Sequence, residues 1–211
     1  MRDPKLEQMV ATLYSDTLPY HNFGHALTVT AAGEEIVRRC HQEGIRIEDD
    51  VVYYALLFHD AGYHEDHLAL GYASKEAYSA QLARDMLAEF GIGPSKIAKV
   101  AAAIMSTMRD ASFRTTEQKA VRAADLSGLA ADYPTFLHNS RLLRREIEIL
   151  TGKPLTWSAW VAQVARTMQF YLGQEIRLTS YYVNDQGESA FHRAVEKNLA
   201  QLLREPEVVS A

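Results

Sequence analysis

The chain has 211 residues, a formal net charge of −5, 47% hydrophobic residues and 23% charged residues, the balance of a soluble globular protein with material for a sizeable core. The acidic balance and the absence of a long basic run argue against a nucleic-acid-binding surface, and no apolar run approaches the ~20 residues of a membrane span. Cys40 is the single cysteine, so no disulfide can form within the chain. With no secretory signal visible, the sequence predicts a cytoplasmic protein.

Apolar residues recur with helical spacing along nearly the whole chain, and no stretch shows the alternation typical of strands. The sequence therefore predicts an all-α fold, a globular bundle of about eight or nine helices. The predicted helices cover about residues 4–14, 25–43, 47–59, 74–90, 96–108, 120–129, 134–150, 157–172 and 189–204.

No change in composition divides the chain cleanly. We expect residues 1–211 to form a single helical domain, in which residues from about 155 to 211 are a C-terminal helical extension packed on the core. Pro154 marks the best candidate junction between the two parts.

The helix predicted at residues 47–59 is apolar all round and ends in His59-Asp60, followed by Gly62. A helix of this kind belongs in a core, where an Asp is stable only if it is paired or bound to a metal. We therefore expect the core to hold His59 and Asp60 against a metal ion. The alternative is a solvated helix end with a hydrogen-bonded histidine.

Other candidate ligands lie far away in the sequence. His21 and His25 are four residues apart, and Asp125 interrupts an otherwise apolar stretch. Together His25, His59, Asp60 and Asp125 would offer two imidazoles and two carboxylates. Such a mixed set suits one divalent ion but does not distinguish Mn, Mg, Co, Ni, Fe or Zn.

The order His25, His59-Asp60, Asp125 resembles the HD-domain superfamily of metal-dependent phosphohydrolases. Longer motifs resemble a bacterial subgroup of predicted phosphohydrolases and extend from about residue 20 to 200. They are Tyr20-His21-Asn22-Phe23-Gly24-His25, Phe58-His59-Asp60-Ala61-Gly62-Tyr63, Glu76-Ala77-Tyr78-Ser79-Ala80, Ala124-Asp125-Leu126-Ser127, Arg144-Arg145-Glu146 and, more loosely, Lys197-Asn198-Leu199.

The resemblance implies an HD-type helical fold and an enzyme that uses a metal-activated water on a phosphomonoester or phosphodiester, with Asp60 both a ligand and a catalytic residue. His21 is the expected general acid, since a similar position in cyclic-nucleotide phosphodiesterases donates the proton. Glu76 is expected to orient the attacking water or an imidazole behind the ligands.

The expected partner is a small phosphorylated substrate, such as a nucleotide, and a homodimer is compatible with the sequence. Asn22, His64 and Arg144 are the candidate substrate-binding residues. Each also has a structural interpretation: His64 lies in a polar, solvated loop, and Arg144 suits an ion pair.

Two departures from the family pattern matter. Lys75 precedes Glu76, where the subgroup often has Asn. Two-metal members of the superfamily place two further histidines on the helices after the HD pair, whereas this chain has no histidine between His67 and His138. The sequence thus predicts a single ion.

Two other functions are compatible with the same residues. The site could bind a metal and a nucleotide without turnover and pass a signal to a partner. Alternatively, an HD-type hydrolase or hydratase could act on a non-phosphate substrate, because the use of metal-activated water would be the same.

Overall fold

The computed structural model describes residues 2–206, which contain nine α-helices, one 3₁₀ helix and no β-strand. The all-α prediction is therefore confirmed. Within these residues no helix has both the length and the apolar character of a membrane span. The α-helices are α1 (Pro4–Ala11), α2 (Phe23–Gln42), α3 (Asp49–Phe58), α4 (Lys75–Glu89), α5 (Pro94–Met105), α6 (Thr116–Asp125), α7 (Tyr133–Thr151), α8 (Trp157–Leu172) and α9 (Ala190–Leu202), and the 3₁₀ helix is Leu126–Ala130.

Short polar side chains fix where several helices begin. Asn22 caps α2 by accepting a hydrogen bond from the backbone N–H of His25, and Ser74 caps α4 in the same way through Ala77. Such a cap stabilises a helix by about 1 kcal/mol. These starts matter because α2 and α4 both carry candidate site residues in their first turn.

Helix α6 begins one turn earlier than the sequence analysis predicted. Thr115 Oγ1 accepts a hydrogen bond from Gln118 N at 3.3 Å, and Gln118 Oε1 accepts one from Thr115 N at 3.1 Å. This reciprocal pair is a capping box, which the Thr-x-x-Gln pattern encodes. The earlier start makes Asp125 the last residue of α6, and the 3₁₀ helix follows it.

The chain divides between Asp125 and Leu126 into two compact units. In the first unit, α3 packs against α1, α2, α4, α5 and α6. The prediction of an apolar core helix here is confirmed, since most of its side chains are buried. These are Val51, Val52, Tyr53, Ala55, Leu56, Leu57 and Phe58.

The second unit contains the 3₁₀ helix and helices α7 to α9. Asn198 on α9 donates hydrogen bonds to the carbonyls of Leu129 (2.9 Å) and Ala131 (2.8 Å). The Trp160 indole on α8 donates to the Ser140 hydroxyl on α7 at 3.0 Å. The expectation of a single domain with an extension from about residue 155 stays a prediction.

Hydrogen bonds from two directions hold the turn that follows α3. The Tyr14 hydroxyl donates to the Leu57 carbonyl at 2.9 Å, and the backbone N–H of Gly62 donates to the Leu13 carbonyl at 2.8 Å. From α4, the Ser79 hydroxyl donates to the Ala61 carbonyl at 2.8 Å. The segment that carries His59 and Asp60 is thereby fixed to its neighbours.

Gly62 is required in this turn for two reasons. Its φ of +72° lies in the left-handed region, which costs other residues about 1 kcal/mol or more. In addition, a Cβ at this position would lie 2.5 Å from Tyr78 Cε1 and 2.9 Å from Leu82 Cδ1. The turn after the His-Asp pair therefore depends on close packing against α4.

We expect Gly62→Ala to lower the free energy of unfolding by about 2–4 kcal/mol, because backbone strain and a clash add together. Gly44→Ala is the matched control, since Gly44 has a φ of +69° but open space around it. The control should lose only about 1–2 kcal/mol. Equilibrium urea unfolding measures both values, and equal losses would contradict the packing argument.

Arg122 anchors α6 one turn before Asp125. Its guanidinium is fully buried and donates hydrogen bonds to the carbonyls of Thr107 (2.8 Å), Met108 (2.9 Å) and Arg109 (2.8 Å). A cation that binds the carbonyls following the C-terminal end of α5 also interacts favourably with the helix dipole. This anchor fixes the end of α6 that carries Asp125.

Removing this anchor should destabilise the protein strongly. Arg122→Met removes a fully buried guanidinium and its hydrogen bonds to three carbonyls, so we expect a loss of about 3–5 kcal/mol in the free energy of unfolding. Arg84→Met, the same substitution at an exposed site on α4, should change it by less than about 0.5 kcal/mol. Denaturant titration distinguishes the two, and similar effects would refute a specific role for Arg122.

Candidate metal centre

His59 is buried, and one of its ring nitrogens is hydrogen-bonded to the backbone. Its Nδ1 lies 2.7 Å from the Leu56 carbonyl oxygen, and a carbonyl can only accept, so the Nδ1 atom carries the proton. The other nitrogen, Nε2, lies 3.0 Å from Asp60 Oδ2. However, Nε2 is buried and has no properly aligned hydrogen-bond partner among residues 2–206. A proton or a metal ion on Nε2 is therefore needed to bring this nitrogen into favourable contact with the Asp60 carboxylate.

Three imidazoles surround one oxygen of Asp60. Besides His59, the Nε2 atoms of His25 and His21 lie 3.7 Å and 3.9 Å from Asp60 Oδ2. His25 reaches it from the first turn of α2. His21 precedes that helix, so the two histidines share the site although α2 covers only one of them.

Asp125 borders this cluster from the end of α6. Its Oδ1 lies 3.7 Å from His59 Nε2, and its side chain is 24% exposed. The structure thus brings all four predicted ligands into one part of the first unit. Asp125 is the more exposed partner of this contact, and its role as a ligand stays a prediction.

The charges in the cluster favour a cation at its centre. Burial and the nearby His59 lower the pKa of His25 to about 3. Burial opposes a charge on His59, but the carboxylates of Asp60 and Asp125 raise its pKa to about 9. Burial also works against charge on Asp60, yet His59 and Lys75 hold its pKa well below the usual range. Even without an ion, the Asp60 carboxylate therefore has a positive partner.

The residues present fit a metal ion. His25, His59 and Asp60 each offer a ligand atom, and these atoms lie within 4.8 Å of one another. His59 Nε2 is buried and has no hydrogen-bond partner among residues 2–206, so it is placed to exchange a proton for a metal ion. The Leu56 carbonyl provides the support behind the ring that metal-binding histidines usually have. Nitrogen and oxygen donors together suit a divalent first-row metal.

Helix α4 brings two charged residues to the same region. Glu76, in its first turn, is 8% exposed. Lys75 places Nζ 3.5 Å from Asp60 Oδ1 and 4.3 Å from the centre of the Tyr63 ring. Burial opposes the charge on Lys75, but Asp60 raises its pKa above the ordinary value. The catalytic role of Glu76 stays a prediction.

The predicted substrate-binding residues have local partners. Asn22 caps α2, and His64 Nε2 lies 3.0 Å from a carboxylate oxygen of Glu65. Arg144 lies on α7 in the second unit, where its Nε is 3.4 Å from Glu148 Oε1. Each of the three side chains thus has a nearby protein partner, and their contacts with a substrate stay predictions.

The sequence analysis did not predict that Tyr63 and Lys75 contact the residues of the candidate metal centre. Tyr63 stacks on His21, with ring centres 3.9 Å apart and planes inclined by 14°. In the sequence, Lys75 was noted only because the family subgroup often has Asn at this position. Its distance from Asp60 depends on how the loop between α3 and α4 returns the chain, which no local sequence signal reveals.

The comparisons with known proteins identify the fold. No family model matches the sequence, and no curated protein matches it by sequence. Among solved structures, the phosphodiesterase domain of the Salpingoeca rosetta rhodopsin phosphodiesterase matches with a TM-score of 0.69. The chain shares the fold of this domain. The match covers 95% of this chain and 79% of that one, at 14% sequence identity.

We expect the protein to bind a divalent ion through this cluster. At a free ion concentration one hundred times the Kd, binding should raise the free energy of unfolding by about 2.7 kcal/mol. Asp60→Asn should weaken binding at least about tenfold because a charged ligand is lost. Titration calorimetry and denaturant unfolding with each candidate metal measure the two effects.

His41→Asn provides the control for this experiment, since His41 is an exposed histidine paired with Asp49 at 2.8 Å. It should bind the ion with unchanged affinity. Equal affinity in wild type and Asp60→Asn would place any bound ion elsewhere in the molecule.

Proposed function

We propose that the protein is a metal-dependent phosphohydrolase of the HD-domain superfamily, acting on a phosphomonoester or phosphodiester such as a nucleotide. The observation that carries this proposal is the buried Nε2 of His59, which has no hydrogen-bond partner among residues 2–206 and faces Asp60 beside His25. The order of the motifs and the fold shared with a phosphodiesterase domain support the assignment.

In this proposal His25, His59, Asp60 and Asp125 hold one divalent ion. When bound, such an ion neutralises charge on the phosphoryl oxygens and lowers the pKa of water. Asp60 has the central position, because one of its oxygens faces the histidines and the other faces Lys75. Loss of the Asp60 charge should therefore reduce activity more than any other single substitution.

His21 is the proposed proton donor to the leaving oxygen. Its side chain is 13% exposed, and its ring stacks on Tyr63, which holds the ring plane. An imidazole can serve as a general acid. Because His21 stands 3.9 Å from Asp60 Oδ2, it is close to the proposed ligands.

Glu76 is the proposed group that orients the attacking water, from its buried position in the first turn of α4. Asn22, His64 and Arg144 remain the proposed substrate contacts. Since Asn22 also caps α2, its replacement should affect stability as well as substrate binding.

The test is hydrolysis of a panel of phosphate esters, with nitrophenyl phosphate, bis-nitrophenyl phosphate and nucleotides each combined with Mn, Mg, Co, Ni, Fe and Zn. We expect turnover with at least one metal. Asp60→Asn should abolish it, and His21→Asn should lower kcat by about 10²–10⁴-fold while the affinity for the ion is retained. His41→Asn serves again as the unaffected control.

Other results would point to other functions. Tight nucleotide binding without product at any metal would support a non-catalytic binding module. Turnover that survives Asp60→Asn would exclude this cluster as the active site.

A further inference from the structure

The two oxygens of Asp60 face different kinds of group. Oδ2 lies among imidazoles, 3.0 Å from His59 Nε2 and 3.7 Å from His25 Nε2. Oδ1 faces the ammonium of Lys75 at 3.5 Å. One carboxylate therefore separates the proposed ion position from a second positive group.

Lys75 reaches this place from a fixed point. It is the first residue of α4, whose start is capped by Ser74, and Ser79 in the next turn bonds to the Ala61 carbonyl. The ammonium also lies 4.3 Å from the centre of the Tyr63 ring, within the range of a cation–π interaction. Backbone and aromatic contacts thus direct the long side chain to one spot.

The Lys75 side chain is only partly buried and has donors to spare. The Lys75 side chain is 38% exposed, and an ammonium has three donors. The contact with Asp60 Oδ1, at 3.5 Å, is at the long limit of a hydrogen bond. A phosphoryl oxygen at 2.7–2.9 Å would make a stronger charge-assisted bond.

The helices that follow the His59-Asp60 pair in the first unit offer no imidazole for a second ion. Helices α4, α5 and α6 contain no histidine. The basic residue that α4 places against Asp60 is Lys75. A negatively charged substrate that approaches Asp60 and Asp125 is repelled by both carboxylates, and a cation on the outer oxygen of Asp60 offsets that repulsion.

We propose that Lys75 binds a phosphoryl oxygen of the substrate and serves as the second positive charge of a centre that holds a single metal ion. The inference rests on the proposed function and narrows its substrate class. A phosphomonoester is largely a dianion at neutral pH, whereas a diester carries one negative charge. Because the Coulomb energy scales with charge, Lys75 favours terminal phosphate groups over diesters.

The test uses the ion-saturated protein and two simple anions at pH 8, inorganic phosphate as the dianion and dimethyl phosphate as the monoanion. Titration calorimetry compares wild type with Lys75→Met, Lys75→Arg and Lys99→Met. The last variant is the matched control, because Lys99 pairs with the carboxylate of Glu48 on the surface of the first unit. The affinity for the ion alone is measured in parallel.

Lys75→Met should weaken phosphate binding by about 10- to 100-fold, the usual effect of losing a bond to a charged group. The same substitution should weaken the binding of dimethyl phosphate less. Lys75→Arg should retain most of the wild-type affinity for phosphate, and Lys99→Met should bind phosphate as tightly as wild type. The ion itself should bind Lys75→Met at least as tightly as wild type, because a repulsive charge is gone. A purely structural lysine would instead weaken ion and phosphate binding together.

Failure of the Lys75 inference and failure of the proposed function give different results in this experiment. If wild type binds the ion and phosphate but Lys75→Met binds phosphate equally well, the inference is wrong and the proposed function is unaffected. If both anions lose affinity equally, the preference for monoesters is wrong. If wild type binds no ion, or the bound ion leaves phosphate affinity unchanged, the proposed function itself fails.

Discussion

The site depends on one buried pair, the imidazole of His59 against the carboxylate of Asp60. The Leu56 carbonyl holds the Nδ1 proton of His59, so Nε2 must face Asp60 Oδ2. In a buried setting, an unpaired lone pair beside a carboxylate is costly unless a proton or a metal lies between them. The pair therefore requires a proton or a metal ion at the end of the apolar helix α3.

The surrounding helices place further polar side chains beside this pair. Helix α2 supplies His25, α4 supplies Lys75, and α6 supplies Asp125 next to the pair. The turn after Asp60 must be tight enough for α4 to approach, and Gly62 allows this. A cluster assembled from segments so distant in sequence forms only when the whole first unit folds, so its geometry is a tertiary property.

The sequence predicted the features that have a local physical signal. The apolar character of α3 identified the core helix, and the polar His59-Asp60 pair at its end stood out because charge is unfavourable there. Helix α6 was placed one turn too late because the Thr115–Gln118 capping box was not recognised in the sequence. The position of Lys75 had no local signal, since it depends on the path of a loop. A cap such as Asn22 and a ligand contact use the same polar atoms, which is why sequence alone could not separate them.

The central claim is that His25, His59 and Asp60 hold one divalent ion at a single point. Anomalous X-ray diffraction, recorded at the absorption edge of the ion from crystals saturated with it, tests this most directly. The account predicts one strong peak at about 2.0–2.3 Å from His25 Nε2, from His59 Nε2 and from an oxygen of Asp60. A saturated crystal with no peak among these atoms, or with the ion bound only at other side chains, would contradict it.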